Sequence, residues 1–250
     1  MWNVAFPKYV STKRLQTLCA NTNSTLFRRY NLVLLIKPHE LNFIRKQLSY
    51  LIQTVYFVGD YRTLRATEEE VEYKIGEVIQ HLNPEIKDLF KNIRRFRGQD
   101  EVIQLLESLS PYIEKFPIIT NKQVRKLFPK AKSFSIPDFD NLKNLMLDYV
   151  GWKDISSNSL YMMYHEQGKL YTLECRYTAL LGRKTCFCHL CNQSRTGSQI
   201  GLVTTKRRND LVTGNYMCLD SEQCNHDMTD ASKLREFLTY ERKYANKNEH

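Results

Sequence analysis

From residue 38 onward, apolar side chains recur at the three- and four-residue intervals of an amphipathic helix. In the first such segment they share one face, and Pro38 suits the first helical turn. The apolar positions are Leu41, Ile44, Leu48, Leu51, Ile52 and Val55. This pattern predicts a helix that ends near Gly59 and Asp60, where glycine and aspartate commonly interrupt helices.

Three more helical segments follow on short connections. Thr67 and Glu70 have the spacing of a capping box, so the second helix is predicted to begin there. Asn83 and Pro84 end that helix and begin a third, and apolar residues over 102–109 predict a fourth. Consecutive amphipathic helices on short connections most simply pack as an antiparallel bundle. A short further helix is predicted over 121–128.

The pattern changes to strand-forming residues in the second half of the chain. Alternating aromatic and aliphatic residues over 160–164 and 170–177, separated by Gln167-Gly168, predict a β-hairpin. Short strands are predicted over 200–205 and 215–218. A helical pattern over 230–244 closes the chain.

These patterns predict an α+β fold with two domains. The helical bundle covers residues 36–130, and an α/β domain covers residues 138–250. Pro129 and Pro137 restrict the residues before them to extended conformations, so residues 130–137 are interpreted as the connection.

Charge distinguishes the start of the chain from the rest. Residues 1–39 contain six Lys or Arg residues and no acidic residue, and so supply much of the formal net charge of +10. An acid-free basic start resembles an organellar transit peptide, but a poorly ordered basic extension over residues 1–35 is the favoured interpretation. Since no apolar run reaches the roughly 18 residues of a membrane span, a cytoplasmic location is predicted.

Five of the seven cysteines lie within 39 residues. Cys188 and Cys191 form a C-x2-C pair, Cys218 and Cys224 form a C-x5-C pair, and Cys186 precedes the first pair. Zn²⁺ binds four thiolates tetrahedrally, and a two-residue spacer lets both sulfurs of one turn reach one ion. The two pairs therefore predict one structural zinc ion bound by Cys188, Cys191, Cys218 and Cys224.

Other uses of these thiols are weighed against zinc. A disulfide requires an oxidising compartment, and nothing in the sequence directs export. A redox-active pair would precede a helix, whereas Asn192 and the residues after it are typical of a loop. Inert thiols remain a further alternative. Cys186 and His226 are spare ligand candidates, although an extended backbone would turn the Cys186 side chain away from the pair.

No catalytic constellation is evident. The six histidines are scattered, and no nucleophile elbow or glycine-rich phosphate loop is present among the nine glycines. Four thiolates would also saturate a zinc ion and leave no position for water. The sequence therefore favours a binding protein without a small-molecule substrate over an enzyme.

Four stretches together resemble the FusB-type fusidic acid resistance proteins, the elongation factor G-binding family. They are KPHELNFIR (37–45), YVGW (149–152), CHLCN (188–192) and YMCLDSEQCNHDMTD (216–230). The resemblance runs from about Ile36 to the end of the chain. It implies a helical bundle, a zinc-binding α/β domain, and a protein that binds elongation factor G and releases it from ribosomes stalled by fusidic acid.

The resemblance also implies partner-binding residues in the zinc domain. The aromatic positions of the family match Phe187, Tyr216 and Phe237. Phe187 lies in a loop too tight to have its own core, and Tyr216 has a polar tip that suits an interface. Phe237 shares a helical face with Leu234 and Leu238, so packing in the core is an equal alternative.

One family feature is missing. Thr213 stands where the family has a lysine, and the nearby basic residues Lys206, Arg207 and Arg208 are candidates to supply the charge instead. Together with Arg183, Lys184 and the nearby aromatic rings, this basic run also supports the alternative of a zinc-dependent RNA-binding module. Direct RNA contact is thus a secondary prediction.

Overall fold

A computed structural model describes residues 35–129, 131, 136–137, 146–166, 169–206 and 212–245. The helices are α1 (Pro38–Phe57), α2 (Tyr61–Ile79), α3 (Pro84–Asp88), α4 (Gln99–Leu109), α5 (Asn121–Leu127), α6 (Ser221–Asp227) and α7 (Ser232–Ala245). The strands are β1 (Tyr149–Asp154), β2 (Ser159–Glu166), β3 (Lys169–Ala179), β4 (Thr185–Phe187), β5 (Ser194–Thr196), β6 (Ile200–Lys206) and β7 (Val212–Cys218). This arrangement confirms the α+β fold class. The predicted extension, apart from Leu35, lies outside the described residues.

Helix α1 packs against α2 and α4 through the apolar face that the sequence predicted. Ile44, Leu48 and Leu51 are fully buried there, and the core continues through α2, α3 and α4. Burial of one apolar face stabilises each of these helices more than intrinsic propensity does. Within the described residues, no helix combines the length and the apolar character needed to cross a bilayer.

Helix α2 begins six residues before the predicted start. Asp60 is its N-cap, because the Asp60 carboxylate accepts hydrogen bonds from the amides of Arg62 and Thr63 at 3.2 and 2.9 Å. Thr67 is buried inside the helix and donates its hydroxyl to the Thr63 carbonyl at 3.0 Å. The prediction of a capping box at Thr67 was wrong because the aspartate offers an earlier cap of the preferred type.

The third predicted helix is shorter than its apolar pattern indicates. Helix α3 ends at Asp88, and a single 3₁₀ turn at Ile93–Arg95 follows. Ion pairs fix the connection to α2: Arg94 pairs with Glu72, and Arg97 pairs with Glu68 at 2.8 Å. The apolar residues Ile86, Phe90 and Ile93 reach the core from this irregular segment.

The second half of the chain forms a five-stranded antiparallel sheet in the order β1-β2-β3-β6-β7. The predicted hairpin is confirmed as β2 and β3, in which Leu160 pairs with Cys175. Strand β2 is buried on both faces: Leu160 and Met162 face the core near the cysteines, whereas Tyr161 and Met163 face the opposite side. Strands β4 and β5 form a separate two-stranded hairpin.

Helix α5 packs on the sheet. Val124 and Phe128 bury their side chains with Trp152, Tyr161 and neighbouring residues. The Phe128 ring meets the Trp152 and Tyr161 rings edge-on, with centroids 5.2 Å away in both cases. The core packing therefore joins this end of the predicted helical domain to the sheet, and the domain boundary at 130–137 stays a prediction.

Candidate metal centre

The zinc-ligand candidates come from two loops that the fold brings together. Cys188 and Cys191 lie in the turn between β4 and β5, and Cys218 is the last residue of β7. The turn is tight: the Asn192 amide donates to the Cys188 carbonyl at 2.9 Å, and Asn192 has a φ of 56°. Cys224 lies on α6, which follows β7 directly, so the second pair joins a strand to a helix.

The four sulfurs lie within 4.8 Å of one another, and all four cysteines are buried. The Sγ atoms of Cys188 and Cys224 are 3.8 Å apart, and those of Cys191 and Cys218 are 3.7 Å apart. A regular tetrahedron with zinc–sulfur bonds of about 2.3 Å has edges of about 3.8 Å. The sulfur positions therefore fit one structural zinc ion.

The thiols are close enough that each one affects the pKa of the others. Hydrogen bonds from Cys191, Cys218 and Cys224 lower the pKa of the Cys188 thiol. The same contacts with Cys188 raise the pKa of Cys218 and Cys224. The thiols do not ionise independently, and a cation that replaces their protons stabilises all four as thiolates.

Neighbouring groups support the sulfurs. The Cys218 amide donates to the Cys188 Sγ at 3.3 Å. Burial, together with the negative charge of Cys224 and a hydrogen bond with it, raises the pKa of Tyr149 well above its ordinary value. Tyr149 therefore stays a neutral hydroxyl beside Cys224. Outer hydrogen bonds of this kind orient metal ligands and adjust their basicity.

The spare ligand candidates lie apart from the group. Cys186 is half-buried on β4, where it pairs with Arg195 of β5. His226 is exposed, and its Nδ1 lies 3.1 Å from Asp227. Across the part of the chain that the structure describes, the four cysteines are the only group of His, Cys, Asp or Glu side chains close enough together to hold a metal ion.

Two family models together cover most of the chain. Residues 35–117 match "Elongation factor G-binding protein, N-terminal", and residues 125–249 match "FBP C-terminal treble-clef zinc-finger". The chain belongs to the elongation factor G-binding protein family. The treble-clef model covers the cysteine centre, which agrees with one structural zinc ion.

A solved structure shares the fold of this elongation factor G-binding family member. "Structure of the fusidic acid resistance protein FusC" superposes with a TM-score of 0.68 at 23% sequence identity. The match covers 82% of this chain and 97% of that chain, so nearly the whole fold of that structure has a counterpart here. No curated protein matches the chain.

Two of the aromatic side chains that the family resemblance implied lie on the surface near the metal centre. Phe187 is 67% exposed at the end of β4, and Tyr216 is 40% exposed on β7. The His189 amide donates to the Tyr216 carbonyl at 2.7 Å. This bond fixes the Cys188–Cys191 turn against β7, so both rings are carried by connected elements.

The other implied positions are placed differently. Phe237 is only 6% exposed and packs in the sheet core with Leu234 and Leu238, so it does not present its ring to a partner. Of the two alternatives that the sequence left open for Phe237, the structure shows packing in the core, because its helical face is the one that α7 buries. The side chain of Lys206, and all of Arg207 and Arg208, lie outside the described residues.

Thr213, at the position of the family lysine, lies on β7 beside β6, a strand that carries both polar and apolar side chains. Thr213 is half-buried, and its hydroxyl lies 3.2 Å from that of Thr205 across the strands. Leu202, which the sequence analysis missed, pairs directly with Tyr216 and is 36% exposed. Leu181 is 82% exposed before β4. The outward alternation of β6 is the signal that identifies Leu202.

Proposed function

We propose that this protein binds elongation factor G and promotes its release from ribosomes stalled by fusidic acid, which gives antibiotic resistance. The observation that carries the proposal is the exposed Phe187 ring on a turn whose cysteines fit a zinc ion, in a chain of the elongation factor G-binding family. The proposed role places the protein in the cytoplasm, where translation takes place.

The zinc centre suits a binding surface. A large apolar ring that is exposed on a rigid element loses little conformational entropy on association, and such aromatic anchors dominate the affinity of many interfaces. Tyr216 and Leu202 lie side by side on β7 and β6 and extend the apolar surface. The proposed contact surface thus consists of Phe187, Tyr216 and Leu202.

The proposed mechanism requires no chemical step. Four thiolates from Cys188, Cys191, Cys218 and Cys224 would saturate a zinc ion, so the metal would organise structure and would offer no position for water or substrate. The protein acts by binding the conformation of the factor that leaves the ribosome more tightly than the conformation held by the drug. Only such differential affinity shifts the equilibrium between the two states.

Mutation of Phe187 tests the proposal. We expect Phe187→Ala to weaken binding to purified elongation factor G by about 10- to 30-fold, because truncation of an interface anchor typically costs about 2 kcal/mol. Zinc content should be unchanged. Phe57→Ala is the matched control, because Phe57 is 86% exposed in the helical region.

A release assay with fusidic acid-stalled ribosomes measures the functional consequence. Added wild-type protein is expected to increase the rate at which the factor leaves, and Phe187→Ala to reduce that effect. Unchanged factor release in the presence of wild-type protein would contradict the proposed function. Loss of zinc from Phe187→Ala would instead assign the ring a structural role.

The second candidate function is RNA binding. It is favoured by the exposed basic residues Arg183 and Lys184, which lie close in sequence to the exposed Phe187 ring. Aromatic stacking and phosphate contacts are the usual means of binding unpaired RNA. RNA affinity that falls steeply with salt concentration would favour this function, because phosphate contacts release counterions.

A further inference from the structure

We propose that Asn42 and Arg45 of helix α1 are positioning residues for the zinc site, because they hold the end of the helix that carries Cys224. The helical region would then set how firmly the chain retains its zinc ion. This inference concerns metal retention and is independent of the proposed partner.

Helix α6 cannot be stable by itself. It has seven residues, whereas isolated helices shorter than about 12 residues are marginal in water. Its first turn is capped by Asp220, which accepts hydrogen bonds from the amides of Glu222 and Gln223 at 3.0 and 3.2 Å. Its last turn leaves carbonyl groups that need partners from elsewhere in the fold.

Helix α1 supplies those partners. The Asn42 amide nitrogen donates to the carbonyls of Asn225 and Met228 at 2.6 and 3.0 Å. The Arg45 guanidinium donates to the His226 carbonyl at 2.9 Å. A cation at this end also interacts favourably with the helix dipole. Two carbonyls in the last turn of α6, and the carbonyl of its C-cap residue Met228, are thus capped by side chains more than 180 residues away in sequence.

Arg45 also fixes the orientation of the Asn42 amide. Its guanidinium donates to the Asn42 Oδ1 at 2.8 Å, which leaves the amide nitrogen directed at α6. Arg45 is half-buried, and burial lowers its pKa while the charge of Asp227 opposes that shift. The two side chains therefore act as one unit.

Hydrogen bonds and buried packing connect this contact with Cys224. The buried Asn225 side chain accepts from the amides of Asp148 and Tyr149 at 2.8 and 3.2 Å and donates to the Tyr149 carbonyl at 2.8 Å. Tyr149 shares a buried cluster with Cys224, and the Met228 amide at the end of α6 donates to the Cys224 carbonyl at 3.0 Å. His39 of α1 reaches the same strand end through Asp148, at 2.5 Å. Loosening the end of α6 would therefore loosen Cys224.

Zinc release from the full-length, zinc-loaded chain tests the inference. With excess chelator under native conditions, we expect Asn42→Ala to release zinc about tenfold faster than wild type. This change is at the lower end of the effects seen when residues that support metal ligands are mutated. Asn42→Asp keeps the size of the side chain but loses the N–H donor, so it should release zinc about as fast as Asn42→Ala. Arg45→Ala should also accelerate release. Gln53→Ala and Lys46→Ala, at exposed positions of α1, should release zinc at about the wild-type rate.

A general loss of stability must be distinguished from loss of positioning. Val102→Ala weakens the buried core of the helical region but leaves the contacts with α6 in place. If it accelerates release as much as Asn42→Ala does, the inference is overturned. A wild-type rate of zinc release from Asn42→Ala would also overturn the inference. Cobalt-substituted protein gives a second measurement, because tetrahedral thiolate coordination of Co²⁺ absorbs visible light. At full loading, we expect the Asn42 and Arg45 variants to have the wild-type spectrum. With excess chelator, we expect them to lose this absorbance faster than wild type.

Discussion

At the scale of single residues, Asn225 joins α6 to the start of β1 through one side-chain amide. Besides its contacts with Asp148 and Tyr149, the side chain donates to the Ser221 carbonyl of α6 at 2.7 Å. It is 2% exposed. A buried amide with every bond made gives specific order to the backbone around it.

We expect Asn225→Ala to lower the free energy of unfolding by about 3 kcal/mol, because several buried backbone groups lose their partner at once. Denaturant-induced unfolding of the zinc-loaded protein measures this value. Glu222→Ala is the control, since Glu222 is exposed on the same helix. Equal stability of the two variants would show that solvent replaces the lost bonds.

The second prediction at the scale of single residues concerns Tyr149. Tyr149→Phe removes the hydroxyl beside Cys224 while the buried ring is kept. We expect zinc affinity to fall about tenfold, as is typical when an outer hydrogen bond to a metal ligand is lost. Competition with a chromogenic chelator measures the affinity, and Tyr73→Phe, at an exposed position of α2, serves as control.

At the scale of elements, long periodic segments were predictable and short ones were not. The sequence predicted α1, the β2–β3 hairpin and α7, because each repeats its apolar pattern over several turns or pairs. It missed α6, which has seven residues and depends on α1 and the cysteine cluster rather than on its own pattern. Such tertiary support leaves no periodic signal in the local sequence.

The candidate site was predictable to a similar extent. Cysteine spacing identified the four clustered thiols, because both pairs are short-range motifs: one lies on a tight turn, and the other joins β7 to α6. The contacts of Asn42 and Arg45 with α6 were not predictable, since they depend on how distant segments pack. Phe237 shows the same limit: its pattern allowed both core and interface, and only the packing of α7 decides between them.

Alanine substitutions of two glycines are expected to change stability in opposite directions, because the two elements leave different space around them. A Cβ at Gly201 on β6 would lie 2.8 Å from the Thr178 carbonyl of β3, so Gly201→Ala should destabilise the sheet by about 1–3 kcal/mol. Gly76 in α2 has open space around it, so Gly76→Ala should stabilise the protein by about 0.5–1 kcal/mol. Thermal unfolding compares the two, and a shift of the same sign in both would contradict the packing argument.

At the scale of the whole molecule, the described residues belong to one compact unit. The helical region and the sheet share the buried His39–Asp148 contact, and the half-buried Asn42 bonds to α6. Helix α5 packs directly on β1 and β2. These connections make independent unfolding of the two regions unfavourable.

We therefore expect one cooperative unfolding transition for the zinc-loaded protein. Far-UV circular dichroism follows the helices, and fluorescence follows Trp152 of β1 once Trp2, the other of the two tryptophans, is replaced by Phe. The two probes should give the same midpoint in denaturant, as two-state unfolding requires. Separate midpoints would show that the regions unfold one after the other.

The spacing of the sulfur atoms also has a consequence under oxidative stress. The pairs at 3.7 and 3.8 Å need to approach to only about 2.05 Å to form disulfides once the ion has been ejected. Peroxide would then convert a reversible loss of metal into covalent cross-links between the Cys188–Cys191 turn and the β7–α6 segment. Protein stored without reductant should therefore fail to take up zinc again until those cross-links are reduced.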